Sequence, residues 1–278
     1  MIKSFVSFLE YDLPDNLKGF IAAVIHGESE PNTQITYPVH AIGFPLLIHV
    51  YGDLPKLHIK GTITKARSRL NLAGQVFDME SKIEIDGTFG QIGFVLYPSA
   101  TYYLFHKKGD FFLNKWCTFE ETQLEGISTL HKDLSRCTTA IERVPILLNF
   151  LNGLAENRLP AVPWLDEALG EILGKNGVVG QEELAKNAGI SLRHFRRKFK
   201  EIIGVPPKYF CKVIQLNTIF ELIKAEDEIM LHHIALDCGY YDQAHFINDF
   251  RKLIGDSPSG FLKGEHAYVK TYLGRRAG

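Results

Sequence analysis

No apolar run in the 278-residue sequence approaches the roughly 18 residues that a membrane-spanning helix needs. Met1–Phe8 does not read as a signal peptide, so a cytoplasmic protein without a membrane partner is expected. Cysteine is scarce: Cys117, Cys137, Cys211 and Cys238 stand far apart, with no paired spacing. That disfavours a disulfide framework or a zinc site and fits a reducing compartment. Neither sign of charge dominates. The formal net charge is −1, so bulk charge alone points to neither nucleic acid nor a membrane surface. No nucleophile elbow, P-loop or glycine-rich dinucleotide loop occurs, and neither an enzyme nor a cofactor is expected. What is present is an ordinary globular composition, 45% hydrophobic and 23% charged, on a chain long enough for two cores.

The two halves follow different rules. Residues 1–126 read as strands: FIAAVIH (20–26), LLIHVYG (46–52), LHIKGTITK (57–65), KIEID (82–86) and IGFVLY (92–97) are short and rich in β-branched and aromatic residues. Asp86-Gly87 reads as a hairpin turn, and PSATYYLFH (98–106) as one short helix. From about Ile127 the period turns helical, with Ile141, Val144, Leu147, Leu148, Leu151 and Leu154 recurring at three and four residues. That stripe must bury against its own strands or against a second chain. Asn157–Pro163 looks like a linker, and everything from Trp164 to about Leu262 is helical in pattern.

One unit is written twice. SLRHFRRKFKEIIGVPPKYF (191–210) and DQAHFINDFRKLIGDSPSGF (242–261) share His194/His245, Phe195/Phe246, Phe199/Phe250, Ile203/Ile254, Gly204/Gly255, Pro207/Pro258 and Phe210/Phe261. Each copy follows a shorter match, QEELAKNAG (181–189) and LHHIALDCG (231–239). Ala185 and Ala235 allow a close helix crossing, Gly189 and Gly239 suit a left-handed helix end, and Ser191 and Asp242 stand where an N-cap is needed. Each copy therefore reads as helix, tight turn, capped helix. In the first capped helix Leu192, Phe195, Phe199 and Ile202 form the core stripe. Arg193, Arg196, Arg197 and Lys200 form a second stripe at i, i+3, i+4 and i+7. Their counterparts in the second copy are Ala244, Ile247, Asn248 and Arg251.

Residues 164–262 resemble the DNA-binding domain of the AraC/XylS family of bacterial transcription regulators, most specifically through GYYDQAHFINDFRKLIGDSPSGF (239–261). The resemblance implies an α+β chain: a cupin-like β-barrel with trailing helices over 1–158, an all-α tandem helix-turn-helix domain over 159–265, and a tail at 266–278. It implies seven helices in two subdomains, joined by a long helix placed at Pro207–Lys224. Two recognition helices held rigidly can enter successive major-groove turns of double-stranded DNA, about 34 Å apart. The expected DNA-facing set is Arg193, His194, Arg196, Arg197 and Lys200, then Gln243, Ala244, Ile247, Asn248 and Arg251. Arginines suit guanine edges or phosphates, and Asn248 suits adenine. Further partners consistent with the resemblance are RNA polymerase and a second copy of the chain, in the role of an activator.

The first half carries no decisive motif. His26, His40, His49 and His58 stand alone on strands, without a His-x-His pair, and no metal site is expected. Tyr37, His49, Tyr51, Arg67, Arg69, Tyr97 and Trp116 are the candidates to touch a small-molecule effector inside a barrel. Two other readings compete with a sensing domain: a cupin-type metalloenzyme fused to a DNA reader, and a module that only contacts other proteins. A ligand is expected to act through packing around Leu148, Leu151 and Trp164, without touching the recognition helices.

Overall fold

The computed structural model describes residues 6–225, 239–240, 242–258 and 260. The first half holds ten strands in two antiparallel sheets. β1 (Val6–Leu9), β2 (Ile21–Glu28), β4 (Leu46–Gly52), β7 (Leu70–Ala73), β9 (Phe89–Leu96) and β10 (Trp116–Thr118) form the larger sheet, in the order β1-β2-β9-β4-β7-β10. β3 (Thr33–Val39), β5 (Lys56–Ile59), β6 (Thr62–Lys65) and β8 (Ser81–Gly87) form the smaller, in the order β3-β8-β5-β6.

Burial explains the sequence of each strand. β9 lies between β2 and β4 and is covered on both faces, so FGQIGFVL is apolar nearly throughout. β8 has one wet face, and SKIEIDG alternates accordingly, with Ser81, Ile83 and Ile85 inward. Between the sheets pack Tyr37, Ile48, Val50, Leu57, Ile83, Ile85 and Phe89.

The expected closed barrel is not formed among the described residues: the strands pair in two separate ladders. Two local readings fail with it. The stretch 57–65 is two strands joined at Lys60-Gly61, whose φ angles of 50° and 76° make the primed turn that suits a hairpin. Asp86-Gly87 is no hairpin, because β8 and β9 belong to different sheets. It is the corner at which the chain changes sheet. Gly87 (φ 129°) presses on the Asp53 side chain, whose Oδ2 accepts from Thr88 N at 2.8 Å. A side chain at Gly87 would displace that carboxylate.

Helices cover the outer face of the larger sheet. α1 (Ala100–Phe105), α2 (Gly109–Phe112) and α3 (Phe119–Thr122) lead to α4 (Ile127–Ser135) and α5 (Ala140–Glu156). A capping box, Thr139 with Glu142, starts α5. Val144, Leu147, Leu148 and Leu151 of α5 bury against Leu47, Leu70, Leu72, Ile92 and Phe94 of the sheet. Each such side chain contributes about 1.5–3 kcal/mol by burial. The apolar stripe is thus satisfied within its own chain, and only Ile141, at 56% exposure in the first turn, is left outside.

The second half is helical: α6 (Pro163–Gly174), α7 (Gln181–Asn187), α8 (Leu192–Ile203), α9 (Pro207–Ala225) and α10 (Gln243–Ile254). The stretch LHHIALD (231–237), Cys238, Phe261 and the tail 266–278 lie outside the described residues. No helix among the described residues is long and apolar enough to cross a membrane.

The halves share a core. Phe44, Phe77, Tyr102 and Leu113 of the first half pack against the cluster of Leu165, Phe195, Phe199, Phe210 and Ile214. Asn217 Nδ2 donates to Ile42 O (2.8 Å) and Tyr209 Oη to Val76 O (3.1 Å), so α9 is held by two loops of the sheet domain.

Candidate nucleic-acid interface

Each repeated unit builds its capped helix as its residues dictate. Ser191 Oγ accepts from His194 N (3.3 Å), and Asp242 Oδ1 accepts from His245 N (2.7 Å). Gly189 (φ 67°) and Gly239 (φ 78°) supply the left-handed turns before the caps. Gly204 (φ 94°) and Gly255 (φ 85°) end α8 and α10 in the same way. Phe195, Phe199, Phe246 and Phe250 are fully buried, at 0% exposure, and pack in two equivalent pairs, centroids 5.8 and 5.7 Å apart, the first tilted and the second edge-to-face.

With the phenylalanines inside, the basic stripe must face out. Arg193, His194, Arg196, Arg197 and Lys200 are all exposed on α8. On α10, Gln243, Ala244, Asn248 and Arg251 are exposed and Ile247 is half-buried. The ten residues therefore form two surfaces at equivalent places on equivalent helices. Two arginines of the first surface are already engaged. Arg196 donates to Gln181 Oε1 (2.9 Å) and lies 3.5 Å from Glu182. Arg197 lies 3.5 Å from Glu201 and 3.4 Å from His194 Nδ1.

Glu201 was not singled out in the sequence, yet it is a hub. It pairs with Lys198 (3.2 Å), Arg197 and Lys108 (3.5 Å), and Lys108 belongs to the first half. Partial burial works against its charge, but Lys198 and Lys108 hold its carboxyl below the usual range. Beside it, α2 meets the end of α8 backbone to backbone. A Cβ on Gly109 would lie 2.1 Å from Gly204 N. The first half therefore contacts α8 directly, through Lys108 and Gly109. Trp164 of α6 also touches α8: its ring lies against Phe195, centroids 5.6 Å apart.

The acidic residues of the second copy have structural work. Asp242 is the cap. Asp249 accepts from Lys212 Nζ of α9 and lies 3.3 Å from His245 Nε2. Lys198 holds the matching position in the first copy. Asp249 thus ties α10 to the connecting helix, where a basic residue would face Lys212 and repel it.

The candidate ligand residues divide. Tyr37 and Trp116 line a cavity of about 100 Å³ between the sheets, and Arg67 and Trp116 line an adjoining cleft of about 290 Å³. Tyr97 lines a third cavity of about 440 Å³ near the linker, with Tyr103 and Asp166. Burial raises the Asp166 pKa there, while Tyr103 Oη donates to its carboxylate (3.0 Å) and accepts from Val162 N (3.0 Å).

His49, Tyr51 and Arg69 do not reach the cavity between the sheets. Along β4, Ile48 and Val50 point between the sheets, so His49 and Tyr51 point to the helices. Arg143 of α5 lies 4.6 Å over the Tyr51 ring. Burial, and then Arg143, Arg69 and His131, push the His49 pKa down to about 3. Arg69 donates to Gly52 O (2.9 Å). The strand period could have separated these from Tyr37, had the faces been known. No three His, Cys, Asp or Glu side chains converge as a metal site among the described residues.

The comparisons bear on the second half above all. A family described as a helix-turn-helix domain matches residues 184–264. The HTH-type transcriptional activator RhaS of Escherichia fergusonii is 28% identical over 161 residues, which is 54% of each protein. An uncharacterized HTH-type transcriptional regulator of Haemophilus influenzae is 35% identical over 82 residues, covering 30% of this chain and 27% of its own. Among solved structures, ToxT of Vibrio cholerae bound to (E)-4-(8-methylnaphthalen-1-yl)but-3-enoic acid is 13% identical, with 88% of this chain and 98% of that one covered at a TM-score of 0.49. The chain spans about half the length of the RhaS relative it matches. Two capped helices with matched cores and outward polar faces thus lie inside a segment, residues 184–264, that is similar to the helix-turn-helix domain of AraC/XylS-type transcription regulators.

Proposed function

We propose that the protein is a sequence-specific DNA-binding transcription regulator, with a first half that binds a small effector. The observation that carries the DNA reading is the pair of equivalent outward faces on α8 and α10. One is basic; the other is mixed, with Asn248, Ala244 and Arg251. The basic face supplies most of the salt-dependent affinity, and the mixed face adds base preference. Two unlike units read a site that need not be a palindrome.

Effector control is supported by the walls of the cavity between the sheets. Ile42, Phe44, Gly74, Gln75 and Val76 line it. The same two loops hold α9: Asn217 donates to Ile42 O, Tyr209 to Val76 O, and Gly43 packs on Phe210 and Ile214. Gln75 Nε2 donates to Gly43 O (2.8 Å) and joins the loops. A ligand that spreads these loops shifts α9, and with it the angle between the recognition helices. It does so only if it binds the two arrangements with different affinity.

Such a cavity favours an effector-binding first half over a purely protein-binding one. Selection of bound fragments from random duplex DNA tests the reading. Enrichment of one asymmetric site about two helical turns long is expected. Recovery of no enriched sequence, with wild-type salt slope retained after Arg197→Ala and Lys200→Ala, refutes it.

A further inference from the structure

The two adjoining cavities of the first half differ in chemistry. The inner chamber is walled by Ile48, Leu57, Ile83 and Phe89. The outer cleft is lined by Lys65, Arg67, Asn71, Lys115 and Glu121. Leu57, Ile59, Asn114, Lys115 and Trp116 line both, so the cleft opens against the chamber.

β7 and β10 set the boundary. Trp116 pairs with Ala73 and Thr118 with Asn71, so Trp116 and Asn71 share one face of the sheet. Asn71 is fully buried; its Nδ2 donates to Ser68 O (2.8 Å) and its Oδ1 has no protein partner. Trp116 Nε1 is likewise buried without a protein partner. A donor and an acceptor thus stand unused on the same face of the sheet, a costly arrangement for buried groups. Around them the charge is unbalanced. Lys65, Arg67 and Lys115 line the cleft with a single carboxylate, Glu121, which lies 3.5 Å from Arg67 and also accepts from Thr118 N (2.7 Å), while the Lys115 ammonium rests over the Phe111 ring (5.4 Å).

We propose that chamber and cleft are one amphipathic site for a small organic acid, its apolar tail in the chamber and its carboxylate at the cationic mouth. Trp116 Nε1 donates to the carboxylate, and a hydroxyl on the neighbouring carbon donates to Asn71 Oδ1. At about 100 Å³ the chamber takes a tail of a few carbons, being smaller than the apolar cavity of about 150 Å³ that takes benzene. The basic residues set the sign of the ligand, and the two unused groups set the shape of its head. This ligand class rests on reading the first half as effector-binding.

Calorimetric titration of the 278-residue chain tests it with four probes: 2-hydroxyhexanoate, hexanoate, hexan-1-ol and acetate. Binding should fall in that order, with acetate failing for lack of a tail. The double variant Arg67→Gln/Lys115→Gln should weaken both acids roughly tenfold and leave the alcohol unchanged. Trp116→Phe should weaken the acids, and Ala73→Leu should exclude every probe by filling the chamber. Each variant is first checked for wild-type melting and wild-type affinity for its DNA site. Hexan-1-ol binding as tightly as hexanoate, no binding of either acid, or acids indifferent to the double variant would overturn the ligand class. If the acids bind as expected but leave DNA affinity unchanged, the site stands and the effector reading falls instead.

Discussion

Gly109 is where the two halves touch backbone to backbone, and adding one methyl there should separate them. A Cβ at Gly109 lies 2.1 Å from Gly204 N and 2.5 Å from both Gly204 Cα and Ile203 C. Those atoms are main chain and cannot swing aside. Reaching the ordinary contact distance of about 3.5 Å requires a shift of about 1.4 Å between α2 and the end of α8. Forcing such a shift through a packed contact costs about 1–3 kcal/mol. Gly109→Ala should therefore lower the urea midpoint of the full chain and speed amide exchange at both 105–113 and 200–210. Gly170→Ala is the control of opposite sign. That glycine lies inside α6 with nothing within 4 Å of an added Cβ, so alanine should stabilise by about 0.5–1 kcal/mol. A Gly109→Ala protein with wild-type stability and exchange would refute the direct contact between the first half and the recognition helix.

Phe199 and Phe250 are each completely buried in their own unit, so either change to Ala should cost about 3–5 kcal/mol in a thermal or urea melt; a change under 1 kcal/mol would mean the repeat is misread. Arg196→Ala or Arg197→Ala should weaken the selected site by about 1–3 kcal/mol if the contact is bidentate to a base, whereas Lys200→Ala should weaken all sequences alike and flatten the salt slope by about one unit. Unaltered binding in all three would remove α8 from the interface. His49 titrates near 3 in the folded chain and near 6.5 when unfolded. The unfolded state therefore gains the proton first, and stability present above pH 6.5 is lost as pH falls toward 3, by a few kcal/mol at most. His49→Gln should flatten that part of the stability curve, read by urea melts between pH 4 and 7.

The second half was legible in the sequence because its information is local. Caps, turn glycines and the spacing of four phenylalanines lie within a few residues of what they control, and repetition tested each reading against its twin. Ser191, Asp242, Gly189 and the long helix from Pro207 stand where that grammar puts them. The first half was less legible because sheets are assembled from distant segments. Asp86-Gly87 has the chemistry of a hairpin, but which strand pairs with β8 depends on β3 and β5, some twenty to fifty residues away. Alternation in LLIHVYG separates His49 and Tyr51 from Ile48 and Val50, yet it does not say which face meets the smaller sheet and which meets α4 and α5. Likewise, α5 was apolar on one side by sequence alone, and only packing decided that this side faces its own sheet.

Sequence by itself therefore determined the two reading units, their polar faces and their difference in charge, since these follow from helical periodicity. Tertiary structure alone decided that Asp249 grips Lys212, that Glu201 joins the recognition helix to Lys108, and that Asn71 and Trp116 line one cleft. These pairings depend on where separate elements come to rest, and the free energy that fixes them is the burial of both cores against each other.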